Sequence, residues 1–170
     1  MCGIVVSISN KRIELDFIKN SIKSIKHRGP DADNYWLSND GKVFLGHTRL
    51  SIIDLSPTGA QPMEFIDKNG YRYILTFNGE IYNYKEIKEE LTSFGYKFRG
   101  DSDTEVILKS FVHWGKDCVN KFTGMFAFAI WDENNKKLFL CRDRFGVKPI
   151  YYFCDNHNFV FASERSEEHT

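Results

Sequence analysis

A cysteine at the second position, followed by glycine, is the first group in this 170-residue sequence that could do covalent chemistry. Trimming of the initiator methionine, usual when the next side chain is small, would place a thiol and a free α-amine on one residue. Their ordinary pKa values, about 8.5 and about 7.7–8.0, are close enough for a proton to pass between them cheaply near neutral pH. Cys2 could then be both nucleophile and base. Gly3 would leave room for a substrate beside the sulfur, and a strand after it would hold the terminus rigid. Three further segments carry complementary groups. Arg49, in Arg49-Leu50-Ser51-Ile52-Ile53-Asp54, can fork onto a carboxylate, or simply sit on the surface beside Asp54. Asn78-Gly79 after an apolar run reads as a hairpin turn. It reads equally as a side-chain amide and a glycine N–H aimed at one point, as a tetrahedral oxyanion requires. Asp103 reads first as a helix N-terminal acid favoured by the dipole, and a carboxylate there can also pair with an ammonium.

These residues need a scaffold of mixed helix and strand. Gly3 to Ser9 is β-branched and reads as a buried strand, and Leu15, Ile18, Ile22 and Ile25 follow helical spacing up to the Gly29-Pro30 stop. Strands are expected at Tyr35–Leu37 and Val43–Leu50 around Asn39-Asp40-Gly41, and at Tyr71–Phe77. Asn83 is placed to cap a helix through Tyr84, Ile87, Leu91 and Phe94, with Glu86 completing the cap. Ser102-Asp103-Thr104-Glu105 has the capping-box pattern and opens a second helix through Trp114. Met125–Trp131 with Leu138–Arg142, and Tyr151–Phe153 with Phe159–Ala162, read as two antiparallel hairpins. Met125–Trp131 is apolar on both faces, so both must be covered, one by a sheet and the other by helices.

Composition narrows the class. The 23 basic and 23 acidic side chains cancel and are interspersed, so no long-range field favours nucleic acid or an anionic membrane. With 42% hydrophobic residues and 15 Phe, one domain of this length can bury a core without disulfides or a structural metal. Cys118, Cys141 and Cys154 show no CxxC pairing and no histidine at ligand spacing, and are expected to be ordinary buried thiols. The apolar stretch Ile4–Ile8 is too short for a signal-peptide core, and Lys11 and Arg12 follow it rather than precede it. A reducing cytoplasmic compartment is expected.

Met1-Cys2-Gly3-Ile4, His27-Arg28-Gly29-Pro30-Asp31, Arg49-Leu50-Ser51-Ile52-Ile53-Asp54, Asn78-Gly79-Glu80-Ile81-Tyr82-Asn83, Asp101-Ser102-Asp103-Thr104-Glu105 and Arg142-Asp143-Arg144-Phe145-Gly146-Val147-Lys148-Pro149 together resemble the glutaminase domain of glutamine-dependent asparagine synthetase. That domain is a class II glutamine amidotransferase of the N-terminal nucleophile hydrolase type. The resemblance covers about residues 1–164 and leaves 165–170 as a polar tail, read as a truncation point. It implies an α+β fold, a four-layer αββα sandwich of two antiparallel sheets. It implies that Cys2 is the nucleophile, that Arg49 binds the glutamine α-carboxylate and that Asp103 takes the α-ammonium. Asn78 and Gly79 would form the oxyanion hole. The backbone of Leu50, Ser51, Ile52 and Ile53, with Gly79-Glu80, would line the rest of the pocket. The implied reaction is hydrolysis of glutamine to glutamate and ammonia through a thioester. ATP and magnesium are implied only for a C-terminal synthetase domain, because no Ser-Gly-Gly-x-Asp-Ser loop occurs here, so no cofactor or metal is expected of this chain. The implied partners are L-glutamine, that synthetase domain and, for the full-length protein, a second copy. An amidotransferase for another acceptor and a non-catalytic glutamine-binding module stay open as alternatives.

Overall fold

The computed structural model describes residues 1–50 and 59–165. Strand β1 (Gly3–Ser9) runs between β3 (Val43–Arg49) and β9 (Asn158–Ala162). With β2 (Ala32–Leu37) and β8 (Tyr151–Cys154) they make a five-stranded sheet in the order β2-β3-β1-β9-β8. The second sheet has the order β4-β5-β6-β7, from β4 (Met63–Ile66), β5 (Arg72–Ile81), β6 (Gly124–Asp132) and β7 (Lys137–Arg142). Every neighbouring pair is antiparallel.

Period-two alternation assigns the faces. Ile4, Val6 and Leu45 of the first sheet meet Ile74, Ala127, Ala129 and Trp131 of the second, forming the layer between the sheets. Val5 and Phe44 point the other way, onto Ile18 and Ile22 of α1 (Leu15–Ser24). Phe126, Phe128 and Ile130 of β6, with Leu75 and Phe77 of β5, pack under α2 (Tyr84–Ser93) and α3 (Asp103–Trp114). Strand β6 is thus covered by a sheet on one face and helices on the other, as its doubly apolar sequence requires. Each fully buried side chain of this kind contributes roughly 1.5–3 kcal/mol relative to exposure. The result is the expected αββα sandwich.

Several local expectations are corrected. β5 does not turn at Asn78-Gly79. It continues to Ile81, with Asn78 opposite Ala127 and Gly79 opposite Phe126. β4 carries no sequence signal of its own, because four residues with two exposed make too short a pattern. Asn83 does not cap α2 with its side chain; its amide bonds Lys121 O and Thr123 N instead, tying the helix entry to the start of β6. Ser102 does cap α3, accepting from Thr104 N. Glu105 does not close the box. Its carboxylate accepts from Arg99 N and Gly100 N and pairs with Lys109, which holds the segment before α3. Leu15 is exposed, and Phe94 is more than half exposed, its ring stacked on His113 instead of buried in the core. Cys154 is exposed and Cys141 half-buried; of the three thiols only Cys118 is fully buried. Burial pushes the Cys118 thiol up to about 12 and the Cys141 thiol to about 11.

Candidate active site

Register brings the distant segments together. Gly3 pairs with Thr48, so Cys2 stands beside the end of β3. Its sulfur accepts from Leu50 N at 3.4 Å and faces Leu50 O at 3.6 Å. No side chain would fit at position 3, where a Cβ would come within 2.6 Å of Thr48 Oγ1 and 3.2 Å of Ile25. Arg28 Nε donates to Cys2 O at 3.1 Å, and Arg28 Nη1 also binds Glu164. Ile4 N donates to Ser163 Oγ and Ser163 N to Ile4 O, each at 3.0 Å. The backbone that follows the thiol is thereby fixed.

The second sheet supplies the opposite wall. Ile74 and Thr76 face the first sheet, Thr76 Oγ1 donating to Gly46 O, and alternation turns Asn78 the same way at the sheet's end. Asn78 is 2% exposed and its Nδ2 has no partner among the described residues. A buried amide donor left unpaired costs about 1–3 kcal/mol, so it suits a group that arrives with an acceptor. Next to it Gly79 has φ +156°, and a Cβ there would lie 2.2 Å from Met125 O. Only glycine permits this close crossing of β5 and β6. Asp103, the first residue of α3, accepts from Ile81 N at 3.1 Å through Oδ2. Gln61 links these parts, its Oε1 accepting from Phe77 N at 2.6 Å and its Nε2 donating to Thr104 Oγ1.

Cys2, Arg49, Leu50, Asn78, Gly79, Glu80 and Asp103 all line one open cavity of about 170 Å³. Ser51, Ile52 and Ile53 lie outside the described residues. Burial pushes the Asp103 carboxyl up to about 6, against the N–H of Ile81 and that of Thr104, and neighbouring Glu80 adds to the rise. A carboxylate held at such cost is stabilised by any cation that enters. His47, which the sequence reading did not single out, forms part of the wall. Burial depresses its imidazole to about 4, against a hydrogen bond to the Phe77 backbone, so the ring is neutral near pH 7. Its Nε2 is buried without a partner among the described residues. Lys148 also reaches the cavity from the loop after β7. His47 stands in the expected strand Val43–Leu50 and Lys148 in the Arg142–Pro149 motif, yet only long-range pairing reveals that they line the same cavity as Cys2. Among the described residues no group of three His, Cys, Asp or Glu side chains could hold a metal ion, and no helix is long and apolar enough to cross a membrane.

Comparison with known proteins gives the family and the shared fold. Asparagine synthetase [glutamine-hydrolyzing] 1 of Bacillus subtilis is 45% identical over 171 residues, covering 97% of this chain and 26% of that protein. Putative asparagine synthetase [glutamine-hydrolyzing] 2 of Methanocaldococcus jannaschii is 43% identical over 178 residues, covering 96% of this chain and 34% of that protein. The chain thus spans between a quarter and about a third of the length of these relatives. The glutamine phosphoribosylpyrophosphate amidotransferase of B. subtilis superposes with a TM-score of 0.82 at 20% identity, over 96% of this chain and 42% of that one, which shows a shared fold. The family model described as the glutamine amidotransferase domain matches residues 1–167. With that match spanning nearly all of its length, the chain belongs to the glutamine amidotransferase domain family.

Proposed function

We propose that this domain hydrolyses glutamine to glutamate and ammonia through a thioester on Cys2, and that it supplies the ammonia to an ATP-dependent asparagine synthetase of which it is one portion. The observation that carries this reading is the convergence on one cavity of a thiol, an arginine, a buried carboxylate and an unpaired buried amide donor. A zwitterionic amino acid needs one fixed cation and one fixed anion, here Arg49 and Asp103, and its side-chain amide is then presented at the far end. The Cys2 sulfur attacks the carboxamide carbon while Asn78 Nδ2 and Gly79 N–H stabilise the oxyanion. The α-amine of Cys2, freed by loss of Met1, carries the thiol proton to the leaving nitrogen, directly or through a water. The C–N bond breaks and ammonia departs; water then adds to the thioester carbonyl, and the C–S bond breaks to release glutamate and restore the thiol. On this reading ATP and magnesium serve the synthetase portion, a second copy would meet the protein through its full length, and the setting is the cytoplasm.

The test is an intact-mass measurement of purified chain with an electrophilic glutamine analogue, paired with an ammonia assay. Loss of Met1, one adduct on Cys2 and ammonia release support the reading. Adduct without turnover in the full-length protein would reduce the domain to a glutamine-binding module. Normal ammonia release from chain that keeps Met1 would overturn the N-terminal base.

A further inference from the structure

The segment Arg142–Pro149 takes no part in the mechanism above, yet one of its residues, Lys148, lines the cavity. Asp143 organises it. Burial raises that carboxyl, but N–H groups of Lys148, Val147, Phe126 and Phe145 bind its two oxygens at 2.9–3.3 Å and hold it below the ordinary carboxylate range. The loop so fixed delivers Lys148, 5% exposed, to the cavity that contains Cys2. Its ammonium has three donors, and the polar atom it meets is Met1 Sδ at 3.1 Å, a weak acceptor. Among the described residues no carboxylate forms an ion pair with it. The hydrogen-bond partner of this cation is thus a thioether, and it belongs to the residue whose removal frees Cys2.

We propose that Lys148 is the counter-cation of Cys2: once Met1 is gone, its ammonium faces the Cys2 sulfur and α-amine, favouring the thiolate and disfavouring a protonated amine. This positioning role rests on the reading of Cys2 as a freed N-terminal nucleophile. A nearby cation is the usual device for activating a thiol. Other charged or titratable groups also stand around Cys2. From the turn after α1, Arg28 binds the Cys2 carbonyl through Nε and Glu164 through Nη1, while its Nη2 is buried without a partner among the described residues. From β3, His47 is neutral and Arg49 lies at the carboxylate end of the proposed substrate site. Glu80 of β5, Asp103 of α3 and Asp143 are negative and oppose a thiolate. Lys148 is lowered by burial and by Arg28, while Cys2, Glu80 and Asp143 act on it in the opposite sense.

The experiment measures iodoacetamide alkylation of Cys2 against pH in chain lacking Met1, read on the N-terminal peptide by mass so that Cys154 does not interfere. Lys148→Met should move the alkylation midpoint up by about one pH unit, a tenfold loss of thiolate on the acid side, and Lys148→Arg should restore it. The acid limb of kcat/KM for glutamine should move with it. Lys148→Gln gives the same reading if the methionine variant does not fold. An unmoved midpoint in a folded variant, or equal shifts in the methionine and arginine variants, would overturn the proposal. Because alkylation needs no glutamine, a wild type that alkylates as expected but releases no ammonia would count against the proposed function and not against Lys148.

Discussion

Replacing Asp103 by asparagine should strengthen the fold while disabling the site. The carboxyl rises from its ordinary 3.8 to about 6 chiefly because α3 and β5 bury it. The folded value therefore exceeds the unfolded one, and the folded state binds more protons than the unfolded state between those two values. Stability is lost as pH rises through that window, and above it the ionised carboxyl costs the fold about 3 kcal/mol at about 1.4 kcal/mol per unit. The carboxamide of the D103N chain would keep an oxygen for Ile81 N without the charge. At pH 8 that chain should melt roughly 6–12 °C higher than wild type, the gap closing below pH 4. Saturating glutamine should raise the wild-type midpoint and leave the variant's unmoved, since the anion that would hold the α-ammonium is gone. Thermal scans at several pH values, with and without glutamine, read all of this. A stability gap that is absent at pH 8, or constant across pH, would refute the argument.

Three other outcomes follow from the site. Asn78→Ala removes a buried donor that has no partner among the described residues, so kcat should fall about a hundred- to a thousandfold in the ammonia assay while the melting temperature holds. Gly79→Ala forces a Cβ against Met125 O, and the crossing of β5 and β6 should weaken by more than about 2 kcal/mol in denaturant titration. His47 has its folded value depressed to about 4, so the fold loses stability as pH falls from about 6.5 to 4. His47→Gln should flatten that acid loss, by up to about 3 kcal/mol at pH 4, in the same titration run at pH 4 and 7.

Much of the sandwich could be read from local pattern. The double apolarity of Met125–Trp131 demanded two covered faces, and the spacing of Ile18, Ile22 and Ile25 fixed which side of α1 is buried. What failed was decided at long range. Asn78-Gly79 looks like a turn because the local code for a hairpin is identical; only the pairing with Ala127 and Phe126 keeps the strand going. Asn83 and Glu105 have capping chemistry, but Lys121, Thr123, Arg99 and Lys109 compete for their polar atoms and win. In the site, Cys2, Arg49, Asn78 and Asp103 were each ambiguous alone, and resemblance to a family joined them before geometry did. Lys148 and Gln61 gave no local sign of facing the cavity, since their positions depend on a loop folded by Asp143 and on a bridge between β5 and α3.

The stitching of Ser163 and Glu164 to Ile4 and Arg28 makes the exit of the last strand a brace for the thiol's own backbone. Shortening the polypeptide ahead of that brace would leave both sheets standing but the nucleophile slack, because Arg28 would lose its anion and Ile4 its hydroxyl. The exit of the last strand is therefore coupled, through Glu164 and Arg28, to the carbonyl of the residue that bears the thiol.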